Sequence, residues 1–319
     1  MDFTACPLFG IQSKKMLSYL LKIPSKEYFK QDCVAKMVRP YIEVKPNGKK
    51  RLIEPPDGQL KSIQTNIKKA FYSLEIAPYV FSGVRFRSYV DNAKLHTGKR
   101  FLYKLDFTAF FPSIERETVY KFFLEKLNTA PDIAAILTNY TTIDIDIASC
   151  KDMDSINAFL IEKGVSVRSH LISGAPTSQI LSYLVNVDMF DELYRLTHAN
   201  GILMTVYVDD LFFSSDGKIN YSTRKKIQSI ISKYGYALSP DKEKMHMRYY
   251  PKKITGVIIN KEGSLSIKNS LRRNIIVELM HLKSFPDDEK SKLRLRGLVT
   301  AARQVVPGSY PAIHKFVFK

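Results

Sequence analysis

Tryptophan is absent from the 319-residue chain, and cysteine occurs only three times. Cys6, Cys33 and Cys150 are odd in number, widely scattered and without CxxC spacing. That argues against a disulfide framework or a thiolate zinc site and leaves three reduced thiols. Long apolar runs are missing too, since no stretch approaches the ~18 residues of a membrane-spanning helix. Asp2 stands where a secretory leader would carry positive charge, and no apolar core follows it. The expectation is a cytoplasmic protein with no membrane partner. Internal repeats and low-complexity linkers are lacking, so the chain reads as one continuous unit with subdomains. Acidic residues are scarce beside basic ones: 31 Asp and Glu against 49 Lys and Arg give a net charge of +18. Such a surface suits a polyanionic partner, because bound phosphates release counterions. Charge alone does not separate RNA from DNA.

What is present is a globular composition, 45% apolar, with enough chain for a sizeable core. Residues 11–36 read as helical, interrupted near Pro24. An alternating strand over 41–45, a turn at Pro46-Asn47-Gly48 and a returning strand over 49–53 predict a hairpin. Helix is expected over 60–74, strand over 100–106, and helix over 115–127 with Ser113 as candidate N-cap. The segment 141–169 has weak patterning and reads as an insertion. Further on, the pattern predicts a helix over 178–196, a hairpin from 202–207 and 211–214, a helix over 223–234 and a strand over 254–259. A basic helical region begins near Ile267. This order fits an α+β domain with an antiparallel sheet covered on one face by helices.

Asp209 and Asp210 lie between two apolar strand-like runs, Tyr207-Val208 before them and Leu211-Phe212-Phe213 after. Adjacent carboxylates repel, and an apolar setting raises the cost of ionising both. A divalent cation removes that conflict, and Mg²⁺ prefers hard oxygen ligands together with substrate phosphates. Two such ions can hold an attacking hydroxyl and a leaving phosphate oxygen in line. By itself an Asp-Asp pair is usually a solvated turn. A site of this kind needs a further carboxylate, and the candidate is Asp106, at the end of an apolar strand.

Leu105-Asp-Phe-Thr-Ala-Phe-Phe-Pro-Ser-Ile114 resembles motif A of the reverse transcriptases, Gly174-Ala-Pro-Thr-Ser178 resembles motif B, and Tyr207-Val-Asp-Asp210 is similar to the YxDD motif C. Asn92-Ala-Lys-Leu-His96 resembles the NAxxH element of retron enzymes, and Ile254-Thr-Gly-Val257 their VTG element, with Ile in place of the first Val. The resemblance implies a right-hand polymerase fold: fingers with N-terminal helices over 1–100, a palm of antiparallel sheet and helices over 101–264 that also holds part of the fingers and the 141–169 insertion, and a small basic, RNA-binding helical thumb over 265–319. It assigns Asp106, Asp209 and Asp210 to a site for two Mg²⁺ ions, with Mn²⁺ as a substitute. Phe111, five residues after Asp106, matches the family's aromatic steric gate against a ribose 2′-hydroxyl, with Phe107 beside it. Arg51 is similar to the finger cation that holds the triphosphate. Gly174, Ala175 and Ser178 would form a tight turn against nucleotide and template. Ser173 and Gln179 stand where the family commonly has Gln and Pro, so the contact credited to that Gln has no counterpart.

Residues 235–242 resemble motif D, with Lys242 as proton donor to pyrophosphate and Lys244 as the competing assignment. Asn92, His96, Tyr207, Thr255 and Gly256 are implied nucleic-acid contacts, although His96 also reads as a structural histidine. From Leu265 onward eleven Lys and Arg face four acids, and Arg272, Arg273, Arg294 and Arg296 are candidates for gripping a duplex. The implied activity is retron-type RNA-directed DNA polymerisation, in which deoxynucleoside triphosphates are added to copy a structured noncoding RNA into a branched RNA–DNA product. Phage defence with an effector protein would follow, and 141–169 is a candidate docking surface. Two alternatives remain: another prokaryotic reverse transcriptase, and a non-catalytic nucleic-acid-binding scaffold.

Overall fold

Proline and short polar side chains cut the N-terminal region into brief elements in the computed structural model, which describes all residues except Asn47, Arg248 and Lys319. Ser13 caps Lys14–Leu21 (α1), accepting from Met16 N at 3.2 Å. The helix ends ahead of Pro24, which has no N–H to continue it. Gln31–Ala35 (α2) follows a separate 3-10 turn, so the 11–36 helix is two short ones. Tyr41–Val44 (β1) and Lys50–Ile53 (β2) pair antiparallel, from Tyr41↔Ile53 to Val44↔Lys50. In the turn read between them, Asn47 lies outside the described residues. Asp57 caps Gly58–Ala70 (α3), which buries Leu60, Ile63 and Ile67 at helical spacing.

Ser88 and Asp91 form a reciprocal capping box on Tyr89–Leu95 (α4), and Phe101–Asp106 (β3) follows. The helix expected over 115–127 is Arg116–Lys121 (α5), continuing as a π-helical turn through Phe122–Lys126. Ser113 does not cap it, because its hydroxyl donates to Ala109 O at 3.0 Å. After Pro131–Thr141 (α6), the segment 141–169 has structure of its own: Thr142–Asp144 (β4), Met153–Glu162 (α7) and Ser169–Leu171 (β5), with β4 and β5 paired. Strands of three residues are too short to show alternation. The α7 helix packs Ile156, Phe159 and Leu160 against Leu52 of β2 and Ile145 in a small separate core.

The helix expected over 178–196 is broken into Ser178–Leu184 (α8) and Val187–Ala199 (α9). At the break, the Asn186 amide donates to Ser182 O at 2.9 Å and accepts from Tyr236 OH at 2.7 Å. Such side-chain bonds compete with helical pairing. Leu203–Tyr207 (β6) and Asp210–Ser215 (β7) form the expected hairpin, followed by Tyr221–Lys233 (α10) and Lys244–His246 (β8). The strand expected over 254–259 is instead a hairpin of Lys252–Ile254 (β9) and Val257–Ile259 (β10). Thr255 (φ 46) and Gly256 (φ 91) sit in left-handed backbone at its two-residue turn, which a Thr-Gly pair can supply. Leu265–Ser266 (β11) completes that small sheet, and Asn269–Ser284 (α11), Glu289–Val305 (α12) and Pro311–Val317 (α13) end the chain.

The principal sheet runs β6-β7-β3-β8 with every neighbour antiparallel. Tyr103, Leu105, Leu211 and Phe213 point into the main core, with Phe190 and Leu193 of α9 and Ile227 and Ile231 of α10. The alternate residues Leu102 and Phe212 join a second core with Ile254, Val257, Ile275 and Leu295. The α+β expectation therefore stands, with one correction: both faces of the sheet are covered, helices on one side and α4 with the β9–β10 hairpin on the other. Cys6, Cys33 and Cys150 are unpaired, and burial pushes the Cys6 thiol up to about 11. Among the described residues, no helix is long and apolar enough to cross a membrane.

Candidate active site

Strand register brings the acids together. Asp106 ends β3 and is paired with Asp210, which begins β7, while Asp209 occupies the turn between β6 and β7. Phe107 N donates to Asp209 O at 3.1 Å, tying the two segments beyond the last ladder pair. Val208, a β-branched residue, is forced to φ 57 in that turn. Such backbone strain persists only where surroundings hold it. Here Ser82 Oγ accepts from Val208 N at 2.8 Å, and the 79–81 segment bonds Val206 on both sides. Gly83 lets this segment lie against α8, since a Cβ there would stand 2.9 Å from Ile180 N.

The electrostatics follow from burial. Desolvation pushes the Asp106 carboxyl up to about 7, opposed by Lys242 and reinforced by Asp209 and Asp210. Asp209 is also raised, first by burial and then by Asp210. Lys242 donates to Asp106 Oδ1 from a 3-10 turn at 240–242. Lys104 shares a face of β3 with Asp106, and its ammonium stands 2.5 Å from Asp210 Oδ1 and 5.2 Å from the Phe212 ring centre. Two ammonium groups thus face Asp210 and Asp106, and Asp209 has no ion-pair partner among the described residues. Among the described residues, no group of three or more His, Cys, Asp and Glu side chains stands ready to hold a metal ion. The donor chemistry nonetheless fits a divalent cation: hard oxygens, desolvated, with balancing charge supplied by side chains that can swing away.

The 235–242 segment is laced to the strand end it serves. Ser239 N donates to Asp106 O at 2.9 Å and Thr108 N to Ala237 O at 2.9 Å. Lys244 lies in β8 opposite Lys104, so of the two candidate lysines it is Lys242 that reaches the carboxylates. Phe107 is buried; it stacks on Phe110 with centroids 4.5 Å apart and meets Phe190 and Tyr236 edge-on. Its ring belongs to the core, which leaves its backbone for any contact with a nucleotide. Phe111 is half-buried and packs against the same cluster. Gly174 adopts φ 110, Ala175 is buried, and Ser178 Oγ donates to Ile172 O at 2.5 Å, closing the 174–178 turn. Arg51 is exposed on β2.

Other expected contacts are turned inward. Asn92 and His96 are both fully buried. The His96 ring bridges Ser214 Oγ and Thr205 Oγ1, each at 2.7 Å, and so pins β6 to β7 from α4. Thr255 Oγ1 donates to Tyr89 O at 2.7 Å, and Gly256 completes that turn. These placements correct the expectation of direct nucleic-acid contact by Asn92, His96 and Thr255 through their side chains. Tyr207 is half-buried, and burial raises its hydroxyl pKa. Arg272 bonds Ile267 O and Ser266 Oγ, Arg294 pairs with Glu278 at 2.6 Å, and Arg296 donates to Val317 O. Arg273 is exposed. Sequence reasoning passed over Lys104, Ser82 and Gly83. The first had a legible signal, since a lysine two residues before Asp106 on a strand shares its face.

A family model described as reverse transcriptase (RNA-dependent DNA polymerase) matches residues 43–259. Similar curated proteins include the Retron Mx65 reverse transcriptase of Myxococcus xanthus, 27% identical over 279 residues, 85% of this chain and 62% of that protein. The Retron Se72 reverse transcriptase of Salmonella heidelberg is 26% identical over 70% of this chain and 50% of its own. The Retron Ec83 reverse transcriptase of Escherichia coli is 24% identical over 83% of this chain and 82% of its own. The matched region therefore spans less than two thirds of the first two of these proteins.

Proposed function

The chain belongs to the reverse transcriptase (RNA-dependent DNA polymerase) family, and from that premise we propose that it is a retron-type RNA-directed DNA polymerase. It would copy part of a cognate structured RNA into a branched RNA–DNA product, in the cytoplasm and in the service of phage defence. One observation carries the polymerase reading: Asp106 and Asp210 are register partners, with Asp209 at the adjoining turn, in a sheet that has a basic segment on its edge. In this reading the sheet with α9 and α10 is the palm, β1–β2 belongs to the fingers, and α11 to α13 form the thumb.

Asp106 and Asp209 would hold divalent ions, Mg²⁺ by preference, with Asp210 at the margin. When bound, the ions supply charge neutralisation and in-line alignment of the attacking 3′-hydroxyl and the α-phosphate. The protein's own residues do the rest. Lys104 and Lys242, balancing the acids beforehand, exchange those partners on substrate binding. Lys242 then gives a proton to the leaving pyrophosphate, a task that depends on position. Arg51 grips the triphosphate with paired N–H donors. Phe111 lies beneath the sugar and disfavours a 2′-hydroxyl, while the 174–178 turn offers backbone to the nucleotide. Arg273 and the exposed basic side chains of α11 and α12 meet the duplex phosphates.

Primer extension on an RNA template with Mg²⁺ and deoxynucleotides tests this reading. D106N and D209N should each abolish extension and leave RNA binding intact; extension by D209N would sink the assignment. Sequencing copurified nucleic acid for a branched RNA–DNA molecule tests the retron type separately.

A further inference from the structure

Glu54 and His170 are both fully buried, yet neither lies in the acidic centre. His170 Nε2 donates to Glu54 Oε1 at 2.9 Å, and Ser173 N donates to Glu54 Oε2 at 2.6 Å. Backbone bonds reinforce the link: Glu54 N donates to Ser173 O at 2.8 Å, and Ser173 Oγ to Leu52 O at 3.0 Å. Each partner sits where a functional segment begins or ends. Glu54 follows β2, three residues after Arg51, and shares the inward side of the strand with Leu52. Ser173 immediately precedes the 174–178 turn. His170 lies in β5, bridged to Glu115, while Leu171 N donates to Ile114 O at 3.0 Å, just beyond Phe111.

We propose that Glu54 and His170 are positioning residues for the incoming nucleotide, fixing the spacing between the Arg51 strand, the 174–178 turn and the Phe111 segment. The proposal rests on the polymerase reading, in which those three segments touch triphosphate, base and sugar. A buried carboxylate is costly to desolvate, and well-packed apolar side chains would join the segments at least as stably. What the ionisable pair adds is direction: every oxygen of the carboxylate is committed to a named donor, so the segments cannot slide past one another. The insertion over 141–169 serves the same end, because β4 pairs with β5 behind His170 and α7 packs on Leu52. This gives the insertion an intramolecular task.

The test uses the full chain with a defined RNA template and DNA primer. His170→Leu should raise the KM for deoxynucleotide about tenfold or more, the scale of a misplaced contact, with kcat and template–primer affinity close to those of the parent. His170→Gln, which retains a donor, should recover most of the loss, and Glu54→Gln provides a near-isosteric second probe. An unchanged KM in folded variants, parallel loss of kcat, KM and template affinity, or no rescue by Gln overturns the proposal. Amide hydrogen exchange gives a readout free of activity: His170→Leu should deprotect residues 50–54 and 171–178 together. Protection retained in either segment overturns the linkage. If the parent chain extends no primer, the polymerase reading fails, while joint deprotection would still establish the linkage.

Discussion

Lys242 donates to Asp106 from a 3-10 turn, whereas Lys244, two residues later, lies in β8 opposite Lys104. The difference is geometric. Ser239 N bonds Asp106 O and thereby delivers the turn, and with it Lys242, to the end of β3. Lys242→Ala should therefore lower single-turnover nucleotide incorporation about 10²-fold, within the range for a lost general acid. Lys244→Ala should change it by no more than about threefold. Equal losses from the two substitutions would remove the distinction.

Lys104 predicts a metal-linked stability effect. Its ammonium faces Asp210 with both side chains 21% exposed, so removing it leaves a largely buried carboxylate without its counter-charge. Lys104→Met should cost about 1–3 kcal/mol without divalent ions, less than a fully buried pair would. Saturating Mg²⁺ should restore more stability to the variant than to the parent, because the ion replaces the missing charge. Thermal unfolding with EDTA and with Mg²⁺ measures both quantities; equal Mg²⁺ increments in the two proteins would contradict it.

Phe110 and Phe111 separate packing from selectivity. Phe110 is 4% exposed and stacked on Phe107, while Phe111 is half-buried at the rim of the same cluster. Phe110→Ala should destabilise the fold by about 3–5 kcal/mol, the range for a buried ring, and leave sugar discrimination alone. Phe111→Val should be milder for stability but relax discrimination against ribonucleotides about tenfold or more. Competition between ribo- and deoxynucleotides in primer extension reads the second effect, and unaltered discrimination would dismiss Phe111 as the gate.

Much of this arrangement was legible in the sequence because it is local. Short apolar runs marked β3, β6 and β7, and adjacency marked Asp209 and Asp210. What escaped depends on partners distant in the chain. Asn186 breaks a helix that its own neighbourhood would continue, since Tyr236 lies 50 residues away. Glu54 reads as an ordinary strand-end acid until His170 is seen beside it, 116 residues later. Asn92 and His96 matched a motif, but no pattern of four or five residues tells whether their side chains face solvent or core. Thr255 and Gly256 could have been read better, because a Thr-Gly pair between short apolar runs is also a turn signal.

His96 supplies a pH dependence that can be signed. Burial pushes its imidazole down to about 3, from an ordinary value of 6.5, and the ring stays neutral between the Ser214 and Thr205 hydroxyls. The unfolded chain therefore binds a proton between pH 6.5 and 3 that the folded chain does not. Stability is fully present above about pH 6.5 and falls as the solution is acidified through that window, by at most about 1.4 kcal/mol per pH unit. Denaturant unfolding at pH 7.5, 6 and 5 should show this decline in the parent and a shallower one in His96→Gln, even though that variant starts less stable. His246 is also lowered, by burial and by nearby lysines, but it titrates in both proteins and cancels in the comparison. Parallel pH profiles for parent and variant would mean that His96 is protonated in the folded state, and its bridge between β6 and β7 would then have to be a charged one.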